Sequence, residues 1–399
     1  YFDFTGDQLV SIAQAGAEMG AELFVLDDGW FGKRDEDKSG LSDWVPNEKK
    51  LGCTLKELGE RIRTLGLGFG LWLEPEGISE DSDLYRAHPD WAVAVPGRKP
   101  CLSRSQLVLN FSRLDAQDYM IDAVSKILSG APVSYVKWDF NRAICGKFSH
   151  ALPAGRQGEF THRYVLGLYR VLEELTSRFP EVLFESCGGG GGRFDAGMLY
   201  YTPQIWGSDT TDAVERLSIQ YGASLGFPVS CIGAHVAAVP GHQTGRSTPL
   251  NTRGSVAMFG AFGYELDPRV LSGEEKAAVQ AQITFYKEHY DLIHHGDYYR
   301  LTAPDHPSCT VWEAASPDGE IVLITAVYDH VFPNPIPVRV KIQGLKDGLW
   351  YEVSDGNSSY RATGASLRQC GLVMPAAKEE YQAWQILLKS GGSCDENKF

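Results

Sequence analysis

No stretch of this 399-residue chain is apolar for long enough to cross a bilayer, and the chain has no extended polar tract. Positive charge is also scarce: 37 Lys and Arg face 51 Asp and Glu, which leaves a formal net charge of −14. This balance disfavours electrostatic binding to nucleic acid or to an anionic membrane. We therefore expect a soluble globular protein that binds neither of these partners and acts on a neutral ligand.

The sequence is equally poor in recognisable patterns for metal or nucleotide binding. Its eight cysteines are scattered, none forms a CxxC pair, and its histidines form no HExxH pattern. The glycine run over residues 188–192 lacks the Lys-Ser/Thr end of a phosphate-binding loop, so we expect it to serve close backbone approach instead. We expect no metal and no cofactor. The lack of a signal-peptide pattern favours a cytoplasmic protein, although the chain begins with Tyr1 rather than Met.

Residues 1–297 alternate short apolar runs with amphipathic stretches, which is the pattern of repeated βα units around a parallel sheet. Helices are predicted over residues 7–20, 55–66, 118–130 and 164–179. Seven strands are predicted, over residues 22–28, 68–75, 107–112, 135–140, 182–187, 202–209 and 227–236. We predict an α/β fold, a (β/α)8 TIM barrel whose first strand is missing from this chain, because a closed barrel needs eight strands.

A different pattern follows the long helix predicted over residues 274–293. Short alternating runs, separated by Gly, Asp, Asn and Pro, occupy residues 309–315, 320–328, 338–345, 349–355 and 381–388. They predict a C-terminal antiparallel β-sandwich domain over residues 298–390. Residues 391–399 are interpreted as a loose tail.

Polar residues collect at the ends of the predicted parallel strands, where α/β folds carry their chemistry. Carboxylates accept paired hydrogen bonds from vicinal hydroxyls, and indole rings pack against the C–H face of a sugar. Two opposed carboxylates also suffice to cleave a glycosidic bond, one as nucleophile and one as acid. The residues concerned are Asp27, Asp28, Trp72, Glu74, Lys137, Asp139, Asn141, Cys187, Trp206, Asp209 and Asp212.

Several of these residues also have a purely structural interpretation. Asp27 and Asp28 could cap the loop that follows them, and Lys137 could form a structural ion pair. Asp212 opens a predicted helix and fits an N-cap better than an acid, which leaves Asp209 as the acid candidate. Cys187 alone fits a small buried apolar residue.

Five ordered motifs together resemble the α-galactosidases of glycoside hydrolase family 36, over about residues 1–390. The motifs are "LFVLDDGWFGKRDEDKSGLSDWVPNEKKLG", "GLWLEPE", "YVKWDFNR", "ESCGGGGGRFD" and "IWGSDTTDAVERLSIQYG". The resemblance implies a (β/α)8 catalytic barrel, a C-terminal antiparallel β domain, and hydrolysis of terminal α-1,6-galactosyl units of melibiose and raffinose with retained configuration. α-Galactoside oligosaccharides would then be the ligands.

The resemblance also assigns roles to individual residues. Asp139 corresponds to the nucleophile, and Asp209 corresponds to the general acid/base. The galactose pocket would consist of Asp27, Asp28, Trp72, Arg104, Lys137, Asn141 and Cys187.

One departure from the family leaves alternatives open. Bacterial members carry an N-terminal β-sandwich and a first barrel strand that are not seen here, which affects barrel closure, oligomeric state and leaving-group selectivity. A galactosyl transferase similar to raffinose synthase remains an alternative. So does a barrel that binds galactose without catalysis, because an unpaired barrel edge is costly.

Overall fold

The computed structural model describes residues 2–306 and 309–393, which fall into two units, residues 1–206 and 207–399. The first unit contains the helices α1 Gly6–Glu18, α2 Glu48–Leu51, α3 Leu55–Thr64, α4 Asp83–Ala87, α5 Leu114–Gly130, α6 Phe160–Arg178 and α7 Ala196–Tyr201. Its strands are β1 Leu23–Leu26, β2 Gly68–Leu73, β3 Gly77–Ser79, β4 Gln106–Val108, β5 Tyr135–Trp138, β6 Leu183–Ser186 and β7 Gln204–Trp206.

The parallel sheet of the first unit has the strand order β1-β2-β5-β6-β7. All four of the helices predicted for this region form, as α1, α3, α5 and α6. A capping box starts α3: the Thr54 hydroxyl accepts from the Glu57 N–H, and the Glu57 carboxylate accepts from the Thr54 N–H. Leu58 and Ile62 on one face of this helix are fully buried in the core of the unit. The amphipathic pattern of the sequence therefore directs α3 onto the sheet.

One predicted strand forms but pairs with a different strand from the one expected. The run over residues 107–112 was expected to join the parallel sheet, but its first residues belong to β4, which pairs antiparallel with β3. The two strands form a small two-stranded sheet of their own. Both strands are fully buried, so an uninterrupted apolar run gave no sign of strand direction.

The second unit begins with a parallel pair and the helices around it. Its helices are α8 Ala213–Ser224, α9 Leu250–Ala257, α10 Gly273–Glu288, α11 Tyr290–His295 and α12 Gly364–Gln369. Strands β8 Ile232–Ala237 and β9 Ala261–Glu265 pair in parallel. The sequence analysis missed β9, which is short and follows α9 closely. With the five strands of the first unit, the described residues therefore supply seven parallel strands, which is the expected number. The seventh strand is β9 and not the run over residues 107–112.

The C-terminal part of the second unit is an antiparallel sheet, as predicted. Its order is β10-β11-β12-β17-β14-β15. These strands are β10 Asp297–Arg300, β11 Thr310–Ala315, β12 Ile321–Tyr328, β14 Leu349–Ser354, β15 Ser359–Thr363 and β17 Gln382–Ser393, beside the short pair β13 Arg339–Val340 and β16 Leu372–Val373. One apolar core joins the large sheet to β13, β16 and α12. The layer opposite the large sheet is thus a two-residue ladder and a helix, not a second sheet of equal size.

The division of the chain predicted from sequence stays a prediction. The structure divides into its two units after residue 206, whereas the change in the hydrophobic pattern of the sequence predicts a domain boundary between residues 297 and 298. Of the predicted tail, residues 391–393 end β17, and residues 394–399 lie outside the described part of the chain. No described helix has the length and apolar character that spanning a membrane requires.

Candidate active site

A row of polar and aromatic side chains crosses the parallel sheet of the first unit. Trp72 on β2 pairs in register with Lys137 on β5, and Lys137 pairs with Glu185 on β6. Glu185 pairs in turn with Gln204 on β7. Residues in register on neighbouring parallel strands project from the same face of the sheet. The sheet therefore brings four side chains from distant parts of the sequence into one row.

Asp139 follows the last residue of β5 and lies two positions beyond Lys137. Its side chain is buried, with 5% exposure. Oδ2 accepts from Trp72 Nε1 at 3.0 Å and from Asn141 Nδ2, and Oδ1 accepts from the Phe140 N–H at 2.8 Å. All three partners are N–H donors, so the carboxylate is held in a fixed direction as an acceptor.

Glu74 is a second buried carboxylate beside Asp139. It follows β2 directly and is 1% exposed. Its Oε1 accepts from Gln106 Nε2 and from the Asn141 N–H, both at 2.6 Å, and its Oε2 accepts from Asn141 Nδ2 at 3.2 Å. Burial, and then the negative charge of Asp139, raise the pKa of Glu74 to about 7. Asn141 thus links two carboxylates through one amide nitrogen.

Lys137 forms its ion pair with Asp27, with Nζ 3.2 Å from Oδ2. The same Nζ lies 5.7 Å from the centre of the Trp206 ring. Burial by itself lowers the pKa of Lys137, but the charges of Asp27, Cys187, Glu185 and Asp139 raise it well above its usual value. Lys137 is therefore a fixed positive charge in the row, and its direct partner is Asp27.

Asp28 is held by an arginine that the sequence analysis did not identify. Arg34 donates from Nε to Oδ1 at 2.9 Å and from Nη2 to Oδ2 at 2.8 Å, and its side chain is 1% exposed. Burial raises the pKa of Asp28 despite this partner. Arg34 also donates from Nη1 to the Ser39 carbonyl, which fixes the loop after β1. Asp28 is thus more than a loop cap, because it belongs to a buried ion pair.

Glu185 is the carboxylate of the row, and it is buried. Tyr135, two residues before Lys137 on β5, donates its hydroxyl to Glu185 Oε2. Gln204 Nε2 donates to the same hydroxyl at 3.2 Å. Burial raises the pKa of Glu185, while the Lys137 charge lowers it. The row therefore places one positive charge, Lys137, next to one acidic group, Glu185, in a largely buried layer where charges interact strongly.

Cys187 and the glycine run follow β6 directly. Cys187 is 1% exposed, and its Sγ lies 3.4 Å from the Gly190 N–H. Gly189 and Gly190 have φ of 58° and 83°, a conformation that suits glycine. At the end of the run, Arg193 pairs with the fully buried Glu76. The run is thus a tightly turned loop anchored by a buried ion pair, in line with the close backbone approach expected.

Glu76 gathers three donors from different elements. Its Oε1 accepts from Trp138 Nε1 at 3.0 Å and from Arg193, and its Oε2 accepts from the Tyr164 hydroxyl at 2.7 Å. These partners lie on β5, in the glycine loop and on α6. Glu76 therefore connects β5, α6 and the glycine loop through donors other than Asn141.

Three further residues from the sequence analysis stand in other segments of the chain. Arg104 is exposed, in a tight turn with φ of 50°. Asp209 and Asp212 belong to the second unit. Asp212 is the N-cap of α8, accepting from the Val214 and Glu215 N–H groups, and it also pairs with Arg246. The structural interpretation of Asp212 is confirmed, whereas Asp209 is exposed in the loop before that cap.

Some members of the network were missed, and the reason differs for each. Glu74 stands directly after β2 just as Asp139 stands after β5, so the sequence already places it among the polar residues at strand ends, but the resemblance gives it no role. Glu185 and Gln204 lie within strands and would have been found by aligning the predicted strands in parallel register. Arg34 and Gln106 lie in connecting segments, and only folding brings them to their carboxylates.

The described residues contain no group of three or more His, Cys, Asp or Glu side chains arranged to hold a metal ion. The carboxylates are instead matched by N–H, O–H and ammonium donors. Such a site can polarise, protonate and attack a neutral polyhydroxylated ligand.

Comparison with known proteins identifies relatives of the whole chain. The sequence matches the melibiase family over residues 1–296 and the C-terminal domain of glycosyl hydrolase family 36 over residues 309–388. It is 48% identical, over 98% of its length, to the α-galactosidase AgaA of Geobacillus stearothermophilus, of which it covers 53%. It is also 48% identical, over 97% of its length, to the bifunctional α-galactosidase/sucrose kinase AgaSK of Mediterraneibacter gnavus, of which it covers 40%.

The fold is similar as well. The crystal structure of AgaA superposes with a TM-score of 0.95 over 98% of this chain and 54% of AgaA. The chain thus spans about half the length of the curated relatives it matches. On the sequence match over both parts and on the shared fold, this chain belongs to glycoside hydrolase family 36, the family of the melibiases.

Proposed function

We propose that this chain carries the active site of a retaining α-galactosidase that releases terminal α-1,6-linked galactose from oligosaccharides of the melibiose and raffinose type. Its relatives are α-galactosidases, and crystal structures of AgaA variants hold raffinose and stachyose. A neutral oligosaccharide also suits a chain with a net charge of −14.

The observation that carries the proposal is the environment of Asp139. Its carboxylate is buried at the end of β5, and three N–H donors fix its direction. A nucleophilic carboxylate needs this kind of orientation, because attack on the anomeric carbon requires alignment before reaction. Trp72, whose indole N–H donates to Asp139, would supply the aromatic ring that packs against the pyranose.

In the proposed mechanism Asp139 attacks the anomeric carbon of galactose and forms a covalent glycosyl ester. Asp209 protonates the departing glycosidic oxygen and then, as a base, takes a proton from the water that releases galactose. Two inversions at the same carbon give net retention. The role of Asp209 rests on the family motif "SDTTD".

The remaining predicted residues would bind the sugar. Asp27 and Asp28 would accept hydrogen bonds from the O4 and O6 hydroxyls of galactose, each braced by a cation. Asn141, Lys137 and Cys187 would line the rest of the pocket, since they flank Asp139 or belong to the same row and loop. Arg104 completes the proposed set on the family resemblance alone.

Hydrolysis of raffinose by this 399-residue chain tests the proposal. We expect release of galactose and sucrose in equal amounts, measured by chromatography. A run with excess sucrose and p-nitrophenyl α-galactoside separates hydrolysis from transfer, because a transferase would accumulate raffinose instead of free galactose. Binding of galactose without release of either product would instead indicate the inactive barrel.

A further inference from the structure

We propose that Glu74 is a positioning residue, which fixes the side-chain amide of Asn141 and through it the carboxylate of Asp139. The inference rests on the proposed function, since it concerns the residue proposed as nucleophile. It assigns a task to a buried acid that none of the steps above uses.

The contacts of Glu74 are all with donors, and two of the three come from Asn141. Oε1 accepts the Asn141 backbone N–H and Oε2 accepts the Asn141 side-chain Nδ2. The third donor, Gln106 Nε2, closes the other side of Oε1. Glu74 is 1% exposed, so water does not replace these partners. One carboxylate therefore holds both ends of Asn141.

The second amide hydrogen of Asn141 explains how Glu74 affects the carboxylate of Asp139. An asparagine Nδ2 carries two hydrogens, and here one points to Glu74 Oε2 and the other to Asp139 Oδ2. Two acceptors on the nitrogen fix which way the amide is turned. The Asn141 Oδ1 atom is then left as an acceptor for a substrate hydroxyl, and Asp139 keeps its Nδ2 donor.

Replacing Glu74 by Gln removes this arrangement with almost no change in shape. Gln carries one oxygen and one NH2 group, so an N–H would face a donor at one of the two carboxylate positions. Turning the Asn141 amide relieves that clash at Oε2, but it brings Asn141 Oδ1 against the Asp139 carboxylate. Either arrangement weakens the hold on Asp139.

The electrostatics agree with this direct relation between the two acids. The charge of Asp139 contributes, after burial, to raising the pKa of Glu74. The two carboxylates therefore interact strongly, and the shared Asn141 nitrogen lies between them.

A double-mutant cycle of Glu74→Gln and Asn141→Ala, assayed on p-nitrophenyl α-galactoside and on raffinose, tests the proposal. We expect Glu74→Gln alone to lower kcat by about 100-fold on both substrates, with a smaller change in KM, because misplacement of a reacting group costs about that factor. In the Asn141→Ala background the same change should cost less than about 3-fold, since its target is gone. A merely structural role would give the same loss in both backgrounds and would overturn the inference.

Glu76→Gln is the matched control. Glu76 is equally buried and has three donors, but these donors are Trp138, Tyr164 and Arg193 and not Asn141. We expect Glu76→Gln to lower Tm. Its effect on kcat should be independent of Asn141, so the fold-losses in kcat of Glu76→Gln and Asn141→Ala should multiply in the double variant. Coupling to Asn141 as strong as that of Glu74 would contradict the assignment.

The two proposals fail in different ways. If the unmodified chain releases no nitrophenol, the proposed function fails, and crystal structures with and without Glu74→Gln decide the inference. A turned Asn141 amide or a displaced Asp139 carboxylate supports it, and an unmoved pair overturns it. If the unmodified chain is active and Glu74→Gln keeps its full kcat, only the inference fails.

Discussion

At the scale of single residues, Asp139 is the proposed nucleophile. Replacing it with Ala should lower kcat for p-nitrophenyl α-galactoside by at least about 10⁴-fold, because no other group attacks the anomeric carbon. Galactose binding should persist, since the hydroxyl-binding residues remain. Azide should occupy the vacated space and restore turnover, with β-galactosyl azide as the product detected by mass spectrometry and NMR. Undiminished turnover would remove Asp139 from the nucleophile role.

Asp209 should respond to the quality of the leaving group. Replacing Asp209 by Ala should slow the hydrolysis of raffinose by at least about 100-fold more than the hydrolysis of p-nitrophenyl α-galactoside, because nitrophenolate departs without a proton. The ratio of kcat/KM for the two substrates measures this, and Asp212→Asn serves as the control for the adjoining helix cap. Equal losses on both substrates would count against an acid role.

Arg34 should contribute to stability and to the site in separable ways. Removing it with Arg34→Met leaves the buried Asp28 without its bidentate partner, which typically costs about 3–5 kcal/mol of unfolding free energy. The double variant Asp28→Asn, Arg34→Met removes the unpaired charge and should regain part of that stability. Activity should stay low in both, because the single variant loses the cation that orients the proposed galactose-binding carboxylate, and the double variant loses that carboxylate itself. Chemical denaturation and kcat/KM measured on the same samples check this, and recovered activity in the double variant would contradict it.

The position of a residue in the chain decides whether the sequence alone identifies it as a site residue. Asp139 and Trp72 were identifiable because they lie at the ends of readable strands and carry chemistry suited to sugars. Arg34 and Gln106 were not, because a charged or amide residue in a connecting segment looks like any solvated one until its buried partner is known. The partner of Lys137 also needed the fold, since Asp27 is remote in sequence.

At the scale of elements, strand β11 contains a buried acid whose ionisation should be visible in stability. Glu313 is fully buried, and the Gln343 and Gly344 N–H groups donate to it at 3.0 and 2.7 Å. Burial raises the pKa of Glu313 from 4.5 to about 7. The folded state therefore keeps a proton that the unfolded state loses between these values, and unfolding free energy should fall as pH rises through that window.

The raised pKa of Glu313 also sets the size of the expected fall in unfolding free energy. Each unit of pKa difference corresponds to about 1.4 kcal/mol, so the loss between pH 4.5 and 7 is about 3 kcal/mol and is constant at higher pH. Glu313→Gln should remove this fall, because a neutral amide can still accept from the two N–H groups. Denaturation of both proteins across pH 4.5–8 provides the comparison. Parallel pH curves would contradict the prediction.

The elements show what the hydrophobic pattern can and cannot predict. Amphipathic helices with capping residues, such as α1 and α3, follow from spacing alone because one face must be buried. Fully buried short strands do not, since an apolar run carries no sign of its partner or direction. For this reason residues 107–112 were assigned to the parallel sheet, and the short β9 was overlooked.

At the scale of the whole chain, the sequence correctly predicted a parallel α/β region followed by an antiparallel β region. Its count of seven parallel strands also agrees with the described part of the chain, while the eighth strand of a closed barrel stays a prediction. The relatives are about twice as long as this chain. Whether 399 residues suffice for catalysis is therefore the central question for the molecule.

The measurement that tests the account most directly is hydrolysis of p-nitrophenyl α-galactoside by this chain, followed by proton NMR from the first minutes. The account predicts that α-galactose appears first and then mutarotates, because attack by Asp139 and then by water inverts the anomeric carbon twice. First appearance of β-galactose would contradict the double displacement and the nucleophile assignment. Absence of any release by the folded chain would contradict the proposed activity itself.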